Sequence, residues 1–171
     1  MFQKVIFCLL FLFIPLNRAA VNTVANSPFT SSEPVSELAA GEQLFEEMEL
    51  GGTVNFIAFR QAVAGYYKID NRKREVLTLI DFSRPSTAKR LFVFDMRERK
   101  VLFSSVVSHG KNSGDNYATS FSNEYGSYKS SLGFYLTEST YQGKNGYSLI
   151  LNGLEKGIND RARERAIVMH G

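Results

Sequence analysis

The sequence predicts a mainly β (α+β) domain with short N-terminal helices, and three observations predict it. Short apolar runs rich in Val, Ile, Leu and Phe recur from Val76 to Met169 between turn-forming clusters, which is the length and composition of strands. Ahead of them, apolar residues at three- or four-residue spacing give helical stripes up to Tyr66. The 171 residues are 44% apolar and 22% charged, so one domain-sized core can form without disulfides or a structural metal.

Taken in order, residues 1–20 carry Lys4, the apolar run Val5 to Ile14, Pro15 and the small residues Ala19 and Ala20. A positive start, a short apolar run and a small-residue exit are the pattern of a secretory signal peptide, and the run falls short of the ~20 residues of a bilayer-spanning helix. The expectation is an exported chain with no stable membrane insertion once the leader is cut. Residues 21–36, rich in Ser, Thr, Pro and Asn, read as a flexible linker. A helical segment is expected over 37–69. Ser36 can cap a first helix through Leu38, Leu44, Phe45 and Met48, which Gly51-Gly52 ends. Asn55 can start a second, with Phe56, Phe59, Val63 and Tyr66 along one stripe.

From 75 to 171 the period becomes that of strands. Val76 to Phe82 is β-branched, bounded by Ser83-Arg84-Pro85, and reads as a buried strand. Arg90 to Asp95 and Lys100 to Val107 flank the polar connection Met96-Arg97-Glu98-Arg99, a hairpin. A second hairpin runs from Gly133-Phe134-Tyr135-Leu136-Thr137 through Gly143-Lys144-Asn145-Gly146 to Tyr147-Ser148-Leu149-Ile150-Leu151. Between them, His109 to Ser131 is a long loop crowded with Gly, Ser, Asn and Tyr, and loops of that length in a compact domain are usually functional or disordered. Asn159 is expected to cap a short helix carrying Arg161, Arg163, Glu164 and Arg165, and Ala166 to Met169 to form a last buried strand. That strand delivers His170 and Gly171 and then stops, which reads as a C-terminally incomplete domain.

The formal charge of +3 is too small and too evenly spread for a nucleic-acid footprint, and Lys4 and Arg18 would leave with the leader. Arg72-Lys73-Arg74, followed by Glu75, reads as a solvated turn. Gly-x-Ser-x-Gly, phosphate-loop, His-Glu-x-x-His and Cys-x-x-Cys patterns are missing, and no cofactor is expected. The single cysteine, Cys8, sits in the leader, so a mature chain would carry no thiol nucleophile. The two histidines, His109 and His170, each end a predicted strand and precede a glycine. Such a place suits a general base held rigidly at a sheet edge, and equally an edge histidine pairing with a loop carbonyl.

The segment Val107-Ser108-His109-Gly110-Lys111-Asn112-Ser113-Gly114-Asp115-Asn116-Tyr117-Ala118-Thr119-Ser120-Phe121-Ser122-Asn123 resembles a stretch of the murein L,D-transpeptidase catalytic-domain family, a branch of the YkuD-like L,D-transpeptidases. Three further stretches agree with it in the same order, Ser130 to Leu136, Gly143 to Leu149, and Gly153 to Asn159 together with Arg165 to Gly171, so the resemblance runs from about Leu91 to the end. It implies a YkuD-like β-rich catalytic domain in the bacterial periplasm or cell envelope, acting on peptidoglycan stem peptides. In that family a cysteine thiolate attacks a carbonyl, forms an acyl-enzyme, and an amine of a neighbouring stem resolves it, with a histidine as base.

His170 matches that base. The family's Ser-x-Gly-Cys-type motif would fall downstream of Gly171, and this departure leaves the chain as given without its nucleophile. Ser108, His109, Asn112, Ser113, Gly114, Ser131, Gly133 and Gly171 are expected to bind substrate, the first five along the donor groove and Ser131 and Gly133 at its border. Two other readings compete. One is a zinc-dependent murein peptidase holding its metal with His109, Asp115 and a third ligand such as His170. The other is a non-catalytic secreted wall-binding module in which Tyr117, Tyr125, Tyr128, Tyr135, Tyr141 and Tyr147 supply aromatic contact. The oligomeric state is not legible in the sequence.

Overall fold

Seven strands and two helices build the domain, a computed structural model that describes residues 6–10, 35–70 and 72–171. Helix α1 spans Val35–Glu47 and α2 spans Phe56–Lys68. Asn55 caps α2 as its sequence predicts, its side chain accepting the Ala58 N–H at 3.1 Å. Ser36, read as the cap of the first helix, instead lies inside the first turn, because α1 begins one residue earlier. Strands β1 Ile6–Leu10, β2 Val76–Asp81, β3 Leu91–Asp95, β4 Lys100–Ser105, β5 Gly133–Gly143, β6 Gly146–Gly153 and β7 Val168–His170 form one sheet in the order β4-β3-β2-β1-β5-β6-β7.

The sheet consists of two antiparallel three-stranded groups on either side of β1. Both predicted hairpins are present as β3-β4 and β5-β6. β1 runs parallel to β2 and antiparallel to β5, with Cys8 opposite Leu79 on one side and Phe134 on the other. Of the expected leader only this strand is described. The expected linker lies outside the described residues except for Val35 and Ser36, which open α1. No helix among the described residues is long and apolar enough to cross a membrane.

Strand alternation sorts the apolar side chains onto two faces. Leu77 and Leu79 of β2, Phe92 and Phe94 of β3, and Phe134 and Leu136 of β5 face the helices. There they meet Phe59, Val63 and Tyr66 of α2, the predicted stripe, with the rings of Phe59 and Phe94 edge-on at 5.0 Å. Ile80, Leu91, Tyr135 and Leu151 face the other way and pack with Phe82, Ala118 and Ala162 beneath the long loop. Burying each large apolar side chain contributes roughly 1.5–3 kcal/mol, so both faces matter to stability.

The segment expected to be a helix after Asn159 is instead a chain of turns from Lys156 to Ala166. Asn159 is fully buried and its side chain is spent elsewhere. Its amide donates to the carbonyls of Leu132 and Phe134 at 2.9 and 3.0 Å, and its oxygen accepts the Glu155 N–H at 2.9 Å. Glu155 in turn accepts the Phe134 N–H at 2.7 Å. This pair locks the start of β5 to the end of β6, which steers the following turns back across the sheet toward β7.

Candidate active site

A cavity of about 700 Å³ opens on the face away from the helices, where β2 ends, β7 begins and the long loop returns. Ile80, Phe82, Leu151 and Val168 give it an apolar floor, and Ser108, His109, Ser131 and His170 bring polar groups to its wall. Those four are the sequence-named residues that the fold gathers in one place. Asn112, Ser113 and Gly114 stand behind the wall and Gly133 opens β5 beside Glu155, while Gly171 follows the base.

His170 is the last residue of β7, opposite Ser148 of β6. Its Nδ1 lies 3.0 Å from the Gly171 oxygen, which can only accept, so Nδ1 is the donor there and, in the neutral ring, Nε2 is the nitrogen left to accept a proton. An exposed imidazole with that nitrogen at a cavity wall can take a proton from a nucleophile and return it to a leaving group.

His109 is held differently. Arg90, with no solvent exposure, donates through Nε and Nη2 to the Val107 carbonyl at 2.9 and 2.7 Å, and through Nη1 to the Arg84 carbonyl at 3.0 Å. Its Nη2 also meets His109 Nδ1 at 2.8 Å. A guanidinium only donates, so Nδ1 accepts, and Nε2–H donates to the Gly114 carbonyl at 3.0 Å. Both ring nitrogens are thereby occupied, and His109 braces the entry to the long loop. Burial pulls the Arg90 pKa below its usual value, opposed by the Asp81 carboxylate at the end of β2, and the group stays a cation.

The rest of the loop is tied just as closely. Ser113 is fully buried, its hydroxyl accepting the Ser130 N–H at 2.8 Å. Gly110 N–H donates to Ser130 Oγ at 2.9 Å, and Ser131 Oγ donates to the Ser122 carbonyl at 3.0 Å. Arg165, from the turn segment before β7, donates to the Ser122 carbonyl and Ser131 Oγ through Nη1, and to Ser127 Oγ and the Lys129 carbonyl through Nη2. Sequence reasoning placed Arg165 in a helix and passed over Arg90, since nothing local marks a basic residue as the brace of a distant loop. Among the described residues no group of three His, Cys, Asp or Glu is placed to hold a metal ion, and His109 has no nitrogen to offer one.

No curated protein and no solved structure matches the chain. The family model of the L,D-transpeptidase catalytic domain, YkuD_2, matches residues 51–171, a span that takes in α2, β2 to β7 and the whole cavity. With the β-rich fold and the histidine-bearing cavity inside that span, the chain belongs to the YkuD-type L,D-transpeptidase catalytic-domain family, which implies peptidoglycan substrates in general terms.

Proposed function

We propose that this domain performs acyl transfer on peptidoglycan stem peptides in the cell envelope, with His170 as the general base. The observation that supports this most directly is the His170 ring at the cavity wall with Nδ1 turned to the Gly171 oxygen, inside the span that matches the family. We place the nucleophile on a cysteine that these 171 residues do not bring to the cavity. His170 takes its proton and the thiolate attacks the carbonyl carbon of the donor peptide bond. The tetrahedral adduct then collapses, the C–N bond breaks, and the leaving amine departs with the proton from Nε2. A second amine attacks the thioester, gives its proton to His170, and releases the thiol as the new amide forms. Ser108 and Ser131 line the donor groove, and the His109–Arg90 pair keeps its wall in place.

A chain extended through that cysteine is expected to form a covalent carbapenem adduct by mass spectrometry, while the 171-residue chain forms none. In the extended chain His170→Ala should slow acylation by roughly 10²–10⁴-fold. Adduct formation by the 171-residue chain, or full-rate acylation by the His170 variant, would overturn the mechanism.

A further inference from the structure

Two tyrosines on the cavity wall stand far out in solvent, Tyr125 at 79% exposure and Tyr128 at 71%. Neither is carried there by a loose segment. Tyr125 is the second residue of a turn from Glu124 to Ser127, closed by the Ser127 N–H on the Glu124 carbonyl at 3.3 Å, with Gly126 at φ +71° in the third position. Tyr128 holds φ +55°, a left-handed conformation that costs a residue with a Cβ about 1–2 kcal/mol. The backbone is fixed in that state. The Tyr128 carbonyl accepts the Asn112 N–H at 3.0 Å and lies where any Cβ on Gly110 would come within 2.7 Å of it. The Arg165 clamp on Ser127 and Lys129 grips the residues to either side. A rigid loop that accepts backbone strain to hold a broad ring in water points to a ligand for that ring.

The surroundings define the ligand's chemistry. Ser108, Ser130 and Asn145 line the same cavity as the two tyrosines. A cavity lined by tyrosines together with serines and an asparagine suits a molecule with an apolar C–H face and a hydrogen-bonding rim, which describes a pyranose ring. We propose that Tyr125 and Tyr128 form a stacking subsite for the amino-sugar rings of the glycan strand, beside the groove that takes the stem peptide. The proposal rests on the peptidoglycan reading above and adds to it the sugar half of the polymer.

The test is binding of a chitin oligomer, and separately of a sugar-free stem peptide, to the full chain by calorimetry. With eight tyrosines and no tryptophan, intrinsic fluorescence provides a second readout. The oligomer is expected to bind saturably. Tyr125→Ser and Tyr128→Ser should each weaken it about ten-fold with the thermal midpoint unchanged, and the Phe variants should retain it. Tyr128→Gly separates binding from structure, since glycine relieves the left-handed strain. It should hold or raise the thermal midpoint while weakening the oligomer. Peptide binding with no oligomer binding, or oligomer binding that the Ser variants leave intact, overturns the subsite and leaves the peptidoglycan reading standing. Binding of neither probe overturns that reading and the subsite with it.

Discussion

Arg90 spends its donors on two backbone carbonyls and one imidazole nitrogen from a fully buried position, so its removal strands several polar groups at once. Arg90→Met is expected to lower unfolding free energy by about 3–5 kcal/mol in denaturant titrations, and Arg90→Lys by less, since an ammonium cannot span the same acceptors. Tyr135 makes a different prediction. Its hydroxyl donates to the Ser131 carbonyl at 3.0 Å, and burial pushes its pKa up to about 12 from an ordinary 10.0. Between those pH values the unfolded chain has released the phenolic proton and the native chain has kept it. Stability from this residue is therefore complete below pH 10 and falls by about 3 kcal/mol as the pH rises through 12. Unfolding titrations across that alkaline window should show the decline, and Tyr135→Phe should remove it. At this scale the histidines were legible because they are few. Their opposite tautomers were not, since Arg90 and Gly171 set them through space and across a backbone turn.

Among the elements, α2 shows how packing can reverse a propensity. Gly65 sits mid-helix, where alanine normally gains about 1 kcal/mol. A Cβ there would lie 2.1 Å from Phe134 Cε1 on β5, a ring already buried in the core. Gly65→Ala is thus expected to lower stability by about 1–3 kcal/mol in the same titrations. At the start of the helix, Asn55→Ala should cost about 1 kcal/mol through the lost cap. The α2 stripe, its Asn55 cap and the hairpin turns could be read because each is written within a few neighbouring residues. The turn segment after Asn159 could not, because a capping residue and a buried cross-strand anchor use the same amide, and only the strands around Asn159 decide between them.

For the whole molecule, the family and its β-rich architecture were readable because four ordered motifs cover the loop, both sides of the second hairpin and the last strand. Strand order was not readable, since it depends on pairings between distant segments, the parallel match of β1 with β2 above all. That match has a measurable consequence. Amides of Ile6–Leu10 should exchange with solvent as slowly as those of β2, whereas an unpaired segment would exchange within the dead time.

Because β1 is bonded on both flanks, it acts as the middle plank of a floor whose two halves do not otherwise touch along their edges. Without residues 6–10 that plank would be gone, leaving a lane about two strand spacings wide, roughly 10 Å, between β2 and β5. Each border would then show a row of bare amides and carbonyls, the kind of border that recruits another strand. The cavity next to that lane would then keep its shape only if another strand took the place of β1.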